Sequence, residues 1–173
     1  IYSQYMIQIH DKLFKPFIKK EEIDNRIDNV ANKLNQQFKD KTPIIIGVLN
    51  GCYMFLSDLT KKLNFECEIQ FIKVSSYHKT NSTGTVTKHI GLSQSINNRD
   101  IIIVEDIIDT GNTIEFIRNE LKQFHPTSVT ITTLFFKPDA YQFTKLPEYY
   151  LFEIKDTFIV GYGLDYCQLG RNL

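Results

Sequence analysis

The chain has 173 residues, 42% of them hydrophobic and 23% charged, the proportions of an ordinary globular domain long enough to bury a core. Its formal net charge is +0, which gives no electrostatic case for nucleic acid or an anionic membrane as the main partner. The three cysteines, Cys52, Cys67 and Cys167, are widely spaced without a C-x-x-C pair, so they exclude a zinc or redox site of that kind and read as reduced thiols.

Ile23, Ile27, Val30, Leu34 and Phe38 recur at helical spacing and predict an amphipathic first helix ending near residues 39–42. Pro43 opens an apolar strand at Ile44–Leu49, Asn50 and Gly51 turn the chain, and Cys52, Phe55, Leu56, Leu59 and Leu63 mark the stripe of a second helix. Residues 67–74 form a strand rich in Ile, Phe and Val. From 75 to about 91 the sequence is polar and aperiodic, the composition of a lid or binding loop.

A strand at 101–104 follows, then a helix carrying Ile114, Ile117, Leu121 and Phe124, and a strand at Ser128–Phe136. Two short β-like stretches lie near 149–152 and 158–162. Strand and helix alternate through the middle, which predicts an α/β fold with a central parallel sheet flanked by helices. The expectation is one domain, 1–173, with a core over about 40–137 and a small hood made from the terminal segments, about 1–39 and 138–173. No apolar run approaches a membrane span and the N-terminus lacks a signal-peptide core, so the expected location is cytoplasmic.

Residues 101–113, IIIVEDIIDTGNT, carry the most chemistry. An apolar strand runs into two acids, and residues just past the C-terminal end of a parallel strand face the ligand crevice. Glu105 and Asp106 are placed to accept hydrogen bonds from sugar hydroxyls or to hold a divalent cation through water. Asp109, Thr110, Gly111, Asn112 and Thr113 then make a tight turn into a helix, where backbone N–H groups, hydroxyls and the helix dipole suit a phosphate.

That run resembles the phosphoribosyl-pyrophosphate (PRPP) signature of the type I phosphoribosyltransferases: four apolar residues, two acids, two apolar residues, then an acid, Thr and Gly. The C-terminal run FIVGYGLDYCQLGR extends the resemblance, which covers 44–171 and points to the hypoxanthine-guanine branch. It implies transfer of 5-phosphoribosyl from PRPP to N9 of hypoxanthine or guanine, with Mg²⁺ as cofactor and a homodimer or homotetramer as the assembly.

Within that resemblance, Glu105 and Asp106 bind the ribose hydroxyls and metal, and Asp109 is the general base near N7 of the purine. Leu49, Asn50 and Gly51 match the pyrophosphate loop, which often has Lys where this chain has Asn50 and commonly holds a cis peptide. Ser76 and Tyr77 match the start of a loop that closes over the substrates, excluding water from a reaction with cationic character. Lys137 would donate to the 6-oxygen of the purine, Phe158 would stack on its ring and Ile159 would offer backbone groups to its edge. Asp165 matches a second metal carboxylate on the purine side, and Arg171 a basic residue that reaches pyrophosphate.

Two alternatives share parts of this pattern: a non-catalytic, RNA-binding regulatory homologue of the same fold, and a phospho-receiver domain, whose acidic strand end IIIVED also resembles. Dinucleotide-binding folds are disfavoured, because no G-x-G-x-x-G or G-x-x-x-x-G-K follows a strand.

Overall fold

The structure, a computed structural model, describes residues 6–76, 86–90 and 96–173. A hairpin of β1 (Ile7–Ile9) and β2 (Lys12–Phe14) precedes helix α1 (Lys20–Gln37). Then come β3 (Ile44–Leu49), α2 (Tyr53–Thr60), β4 (Glu68–Ser76), β5 (Val86–Ile90), β6 (Asp100–Ile108), α3 (Asn112–Lys122), β7 (Ser128–Phe136) and β8 (Tyr149–Glu153). Among the described residues, no helix is long and apolar enough to cross a membrane.

The main sheet has the order β5-β4-β3-β6-β7-β8. Five strands run parallel, and β5 joins antiparallel at the edge. The chain steps outward from β3 to β4 in one direction and from β6 through β7 to β8 in the other, so the order reverses between β3 and β6. A crevice opens beyond the carboxyl ends of the strands at such a reversal.

Alternate residues of each strand point to opposite faces, and the core divides accordingly. Ile45, Ile102, Val104 and Leu134 pack with Ile27, Val30 and Leu34 of α1 and with Phe55, Leu56 and Leu59 of α2. Ile44, Ile46, Ile101, Ile103 and Ile131 pack with Ile114, Ile117 and Leu121 of α3. Glu21 and Glu22 in the first turn of α1 suit its dipole, and beyond its end Asp40 takes a left-handed φ of 60°. Truncating a fully buried side chain such as Ile102 to Ala should cost about 2–5 kcal/mol.

The helices α1 and α2 cover one sheet face and α3 the other. Residues of the C-terminal segment pack against the β1–β2 hairpin. Phe14 lies 6.2 Å, centroid to centroid, from both Phe158 and Tyr166, and the Tyr166 hydroxyl donates to Asp11 Oδ1 at 2.6 Å. Expected within the hood, α1 and β8 instead share the layered core, with Leu151 and Ile154 buried alongside α1 residues.

Other expectations also shift. The strand β6 does not stop at Val104 but continues through Ile108, because β7 keeps pairing with it as far as Ile108↔Phe136, whereas β3 leaves it after Gly47↔Val104. Glu105 and Asp106 therefore sit inside the strand, on the side where the sheet opens. The polar stretch after 75 is partly a strand, since β5 pairs with the end of β4. No strand forms over 158–162: Gly161, Tyr162 and Gly163 all have positive φ, at 100°, 48° and 104°, which coils the chain into turns. Phe124 lies beyond α3 and is exposed.

Candidate active site

The crevice between β3 and β6 is defined by close backbone approach. The strand β3 delivers the loop Leu49-Asn50-Gly51, in which the Leu49–Asn50 peptide is cis. A Cβ built at Gly51 would fall 1.5 Å from Asp106 Oδ2, and one at Gly163 would fall 2.0 Å from the Gly51 carbonyl oxygen. The loop after β3 is thus wedged between the carboxylate of β6 and the C-terminal turn, and only glycine fits at either contact.

Glu105 is 6% exposed. Its Oε1 accepts the Asp106 N–H at 3.2 Å, while its Oε2 has no hydrogen-bond partner among the described residues. Burial first, and then the adjoining Asp106, push the Glu105 carboxyl well above the usual carboxylate range. Asp106 Oδ1 accepts the Ile107 N–H at 2.8 Å. A buried carboxylate oxygen without a donor is costly and therefore suits a cation or a hydroxyl brought by a ligand.

Downstream, Gly111 caps α3 with φ 87° and no capping side chain, leaving the helix start to its backbone donors. The first bond across this end is Glu115 N–H to Gly111 O at 2.9 Å. The turn is braced from outside. The Lys137 N–H donates to Ile108 O at 2.9 Å and the Gln142 N–H to Thr110 O at 3.1 Å. A Cβ at Gly111 would strike the Tyr141 ring at 2.3 Å. The buried guanidinium of Arg118 ties α3 to the same segment through the carbonyls of Lys145 and Leu146.

The end of β7 presents Lys137, 7% exposed. Its Nζ lies 3.1 Å from Asp109 Oδ2 and 2.9 Å from Asp156 Oδ1. Burial opposes the charge, yet hydrogen bonds to Asp156 and Asp109 prevail and hold the ammonium above the usual lysine range. Phe158, two residues beyond Asp156, is 53% exposed, with the Lys12 ammonium 4.8 Å from its ring centroid. Ile159 is partly buried against the core shared with α1 and α2.

Arg171 turns back on the same region, Nη1 donating to Gly163 O at 2.7 Å and Nη2 lying 2.7 Å from Asp165 Oδ1. Asp165 Oδ2 also accepts the Gln168 N–H at 2.8 Å. Asp165 is thereby engaged by Arg171 and the Gln168 amide, and no group of three His, Cys, Asp or Glu side chains placed to hold a metal exists among the described residues. Ser76 ends β4, and Tyr77 lies outside the described residues. Sequence reasoning missed Asp156, Tyr141 and Gly163. The acid shortly after the β8 stretch and the doubled glycine of GYG were the available signals.

A model for the phosphoribosyl transferase domain matches residues 19–167. The chain belongs to the phosphoribosyltransferase family. Curated relatives include the hypoxanthine-guanine phosphoribosyltransferases of Streptococcus mutans, 37% identical over 95% of this chain and 92% of the relative, and of Staphylococcus aureus, 38% identical over 95% and 93%. Among solved structures, a Bacillus anthracis hypoxanthine-guanine phosphoribosyltransferase superimposes with a TM-score of 0.89 at 32% identity, covering 94% of this chain and 96% of that one. A Staphylococcus aureus hypoxanthine phosphoribosyltransferase gives 0.84 at 40% identity, covering 88% and 84%. Family membership sets the phospho-receiver alternative aside.

Proposed function

We propose that the protein transfers the 5-phosphoribosyl group of PRPP to N9 of hypoxanthine or guanine, releasing pyrophosphate and the nucleoside monophosphate. The observation that carries this reading is adjacency: the Lys137 ammonium, a donor suited to a 6-oxopurine, lies 3.1 Å from Asp109, the first residue of the phosphate-binding turn. Base and phosphoribose would then meet at one strand edge.

In this reaction the bond from C1′ to pyrophosphate oxygen breaks, the bond from C1′ to N9 forms, and the imidazole ring of the purine loses a proton. Asp109 is the acceptor for that proton at N7, being half-exposed and beside the base site. Lys137 donates to the 6-oxygen; a 6-amino group would set a donor against a donor, which disfavours adenine. Phe158, partly exposed although Lys12, Phe14 and Tyr166 pack on its ring, is the aromatic proposed to stack on the base. Asp106 accepts from the ribose hydroxyls, and the 109–113 turn receives the 5′-phosphate. Gly51 amide and Arg171 face the pyrophosphate, with Asn50 supplying no cation there.

Magnesium fits the β6 acids. Glu105 and Asp106 are hard oxygen donors, one with an unpartnered oxygen, and this ion is commonly held by one or two carboxylates together with substrate phosphates rather than by a complete protein cage. When bound with PRPP it would neutralise charge on the departing pyrophosphate. The three free cysteines accord with a reducing, cytoplasmic setting. A homodimer or homotetramer is expected, to be checked by light scattering.

A spectrophotometric assay with PRPP, Mg²⁺ and each purine in turn tests the proposal. Turnover is expected with hypoxanthine, guanine or both, and none with adenine. Absence of turnover with every 6-oxopurine would overturn it.

A further inference from the structure

Lys137 has more acid around it than a single purine contact requires. Its ammonium carries three donors. One points to Asp109 and one to Asp156, which leaves the third for a ligand. Asp156 arrives from a different element than the other two residues. It follows β8, which pairs parallel with β7, and the Ile154 N–H bonded to Phe136 O at 2.9 Å fixes that segment against the residue before Lys137. Two positions further on stands Phe158.

We infer that Asp156 is a positioning residue for the purine: it shares the Lys137 ammonium with Asp109 and so aims the remaining N–H at the 6-oxygen of the base. This rests on the function proposed above. Without Asp156 the ammonium has one carboxylate partner and collapses onto Asp109. The donor then turns away from the base, and the existing ion pair with the proton acceptor tightens. Burial opposes the charge on Lys137, and its hydrogen bond to Asp156 offsets that cost ahead of the one to Asp109. The Asp156 side chain is itself 78% exposed, so its replacement by Asn removes a charge without opening a cavity.

Two readouts test the assignment, one of them independent of turnover. In ligand-free protein at low temperature, the Lys137 side-chain ¹⁵Nζ ammonium signal should be protected from exchange. Asp156→Asn should shift it and speed its exchange severalfold, and Asp156→Glu should restore it. An unchanged signal in Asp156→Asn would overturn the clamp whatever the protein catalyses. In the transferase assay, Asp156→Asn should raise the KM for hypoxanthine about tenfold, the scale of one charged hydrogen bond, with the KM for PRPP unchanged and Asp156→Glu close to the parent. Equal rises in both KM values, or none, would overturn the positioning role. Failure of the parent protein to turn over any 6-oxopurine would sink the proposed function instead, and the ammonium signal alone would then decide the clamp.

Discussion

In the half of the cleft read as the sugar-phosphate site, geometry is set by main chain. Gly51 lies on the Asp106 carboxylate, Gly163 on the Gly51 carbonyl and Gly111 on the Tyr141 ring. In the base half it is set by the reach of side chains, with Lys137 held between Asp109 and Asp156, and Phe158 two residues further along the chain from Asp156. The first half has no room for one more carbon. The second depends on individual hydrogen bonds and can be adjusted one group at a time. Steric substitutions should therefore weaken PRPP use strongly, whereas charge substitutions should alter base use selectively.

The sharpest break falls on the residue shared by both halves. Asp109→Asn should lower kcat by about 10²- to 10⁴-fold, the usual contribution of a positioned acid or base, while the KM for PRPP moves little. Near-normal turnover in steady-state kinetics would remove Asp109 from the chemistry. Next, Gly51→Ala sets a methyl 1.5 Å from Asp106 Oδ2, so either the loop or the carboxylate must move. Its kcat/KM for PRPP should fall about a hundredfold, as a misplacement of about an ångström can cost. Retention of parental PRPP kinetics would show that this contact is slack.

Lys137→Ala should reduce kcat/KM for 6-oxopurines by about 10- to 100-fold, on the scale of a lost charged hydrogen bond. An equal loss in PRPP binding would make it a structural lysine. The smallest effect is on stability. The Tyr162 hydroxyl donates to Asp58 Oδ2 at 2.5 Å, and Tyr162→Phe should cost about 1 kcal/mol in denaturant unfolding at neutral pH. Burial works against the Asp58 charge, but hydrogen bonds from Lys61 and Tyr162 outweigh it and lower its pKa from 3.8. A depressed carboxylate contributes stability above its unfolded pKa and loses it as pH falls through the folded value. The gap between parent and variant should thus narrow below pH 3.8, and a gap that widened in acid would contradict the assignment.

Legibility in the sequence follows the range of the interactions. Strand Ile44–Leu49 is legible as an unbroken apolar run, and Ser128–Phe136 as a run rich in β-branched and aromatic residues; neither reading needs knowledge of the neighbouring strands. The acids and the turn from Asp109 to Thr113 are legible because they follow one another in order along one strand end. The extension of β6 through Glu105 and Asp106 is hidden, since two acids end the apolar run and only continued pairing with β7 keeps them extended. The coil at 158–162 is hidden because Phe, Ile, Val and Tyr favour strands while the φ values of Gly161, Tyr162 and Gly163 forbid one. Asp156 could not be tied to Lys137 without knowing that β8 lies beside β7. Nor could Gly163 be set against Gly51 across more than a hundred residues of chain.

A phosphorylated sugar and a 6-oxopurine should meet across Asp109, and a crystal structure with bound IMP would show whether they do. The 5′-phosphate is expected at the 109–113 turn, the ribose hydroxyls at Asp106 and the 6-oxygen of the base within hydrogen-bond reach of the Lys137 ammonium. Nucleotide density at any other site, or a base whose 6-oxygen faces away from Lys137, would contradict it.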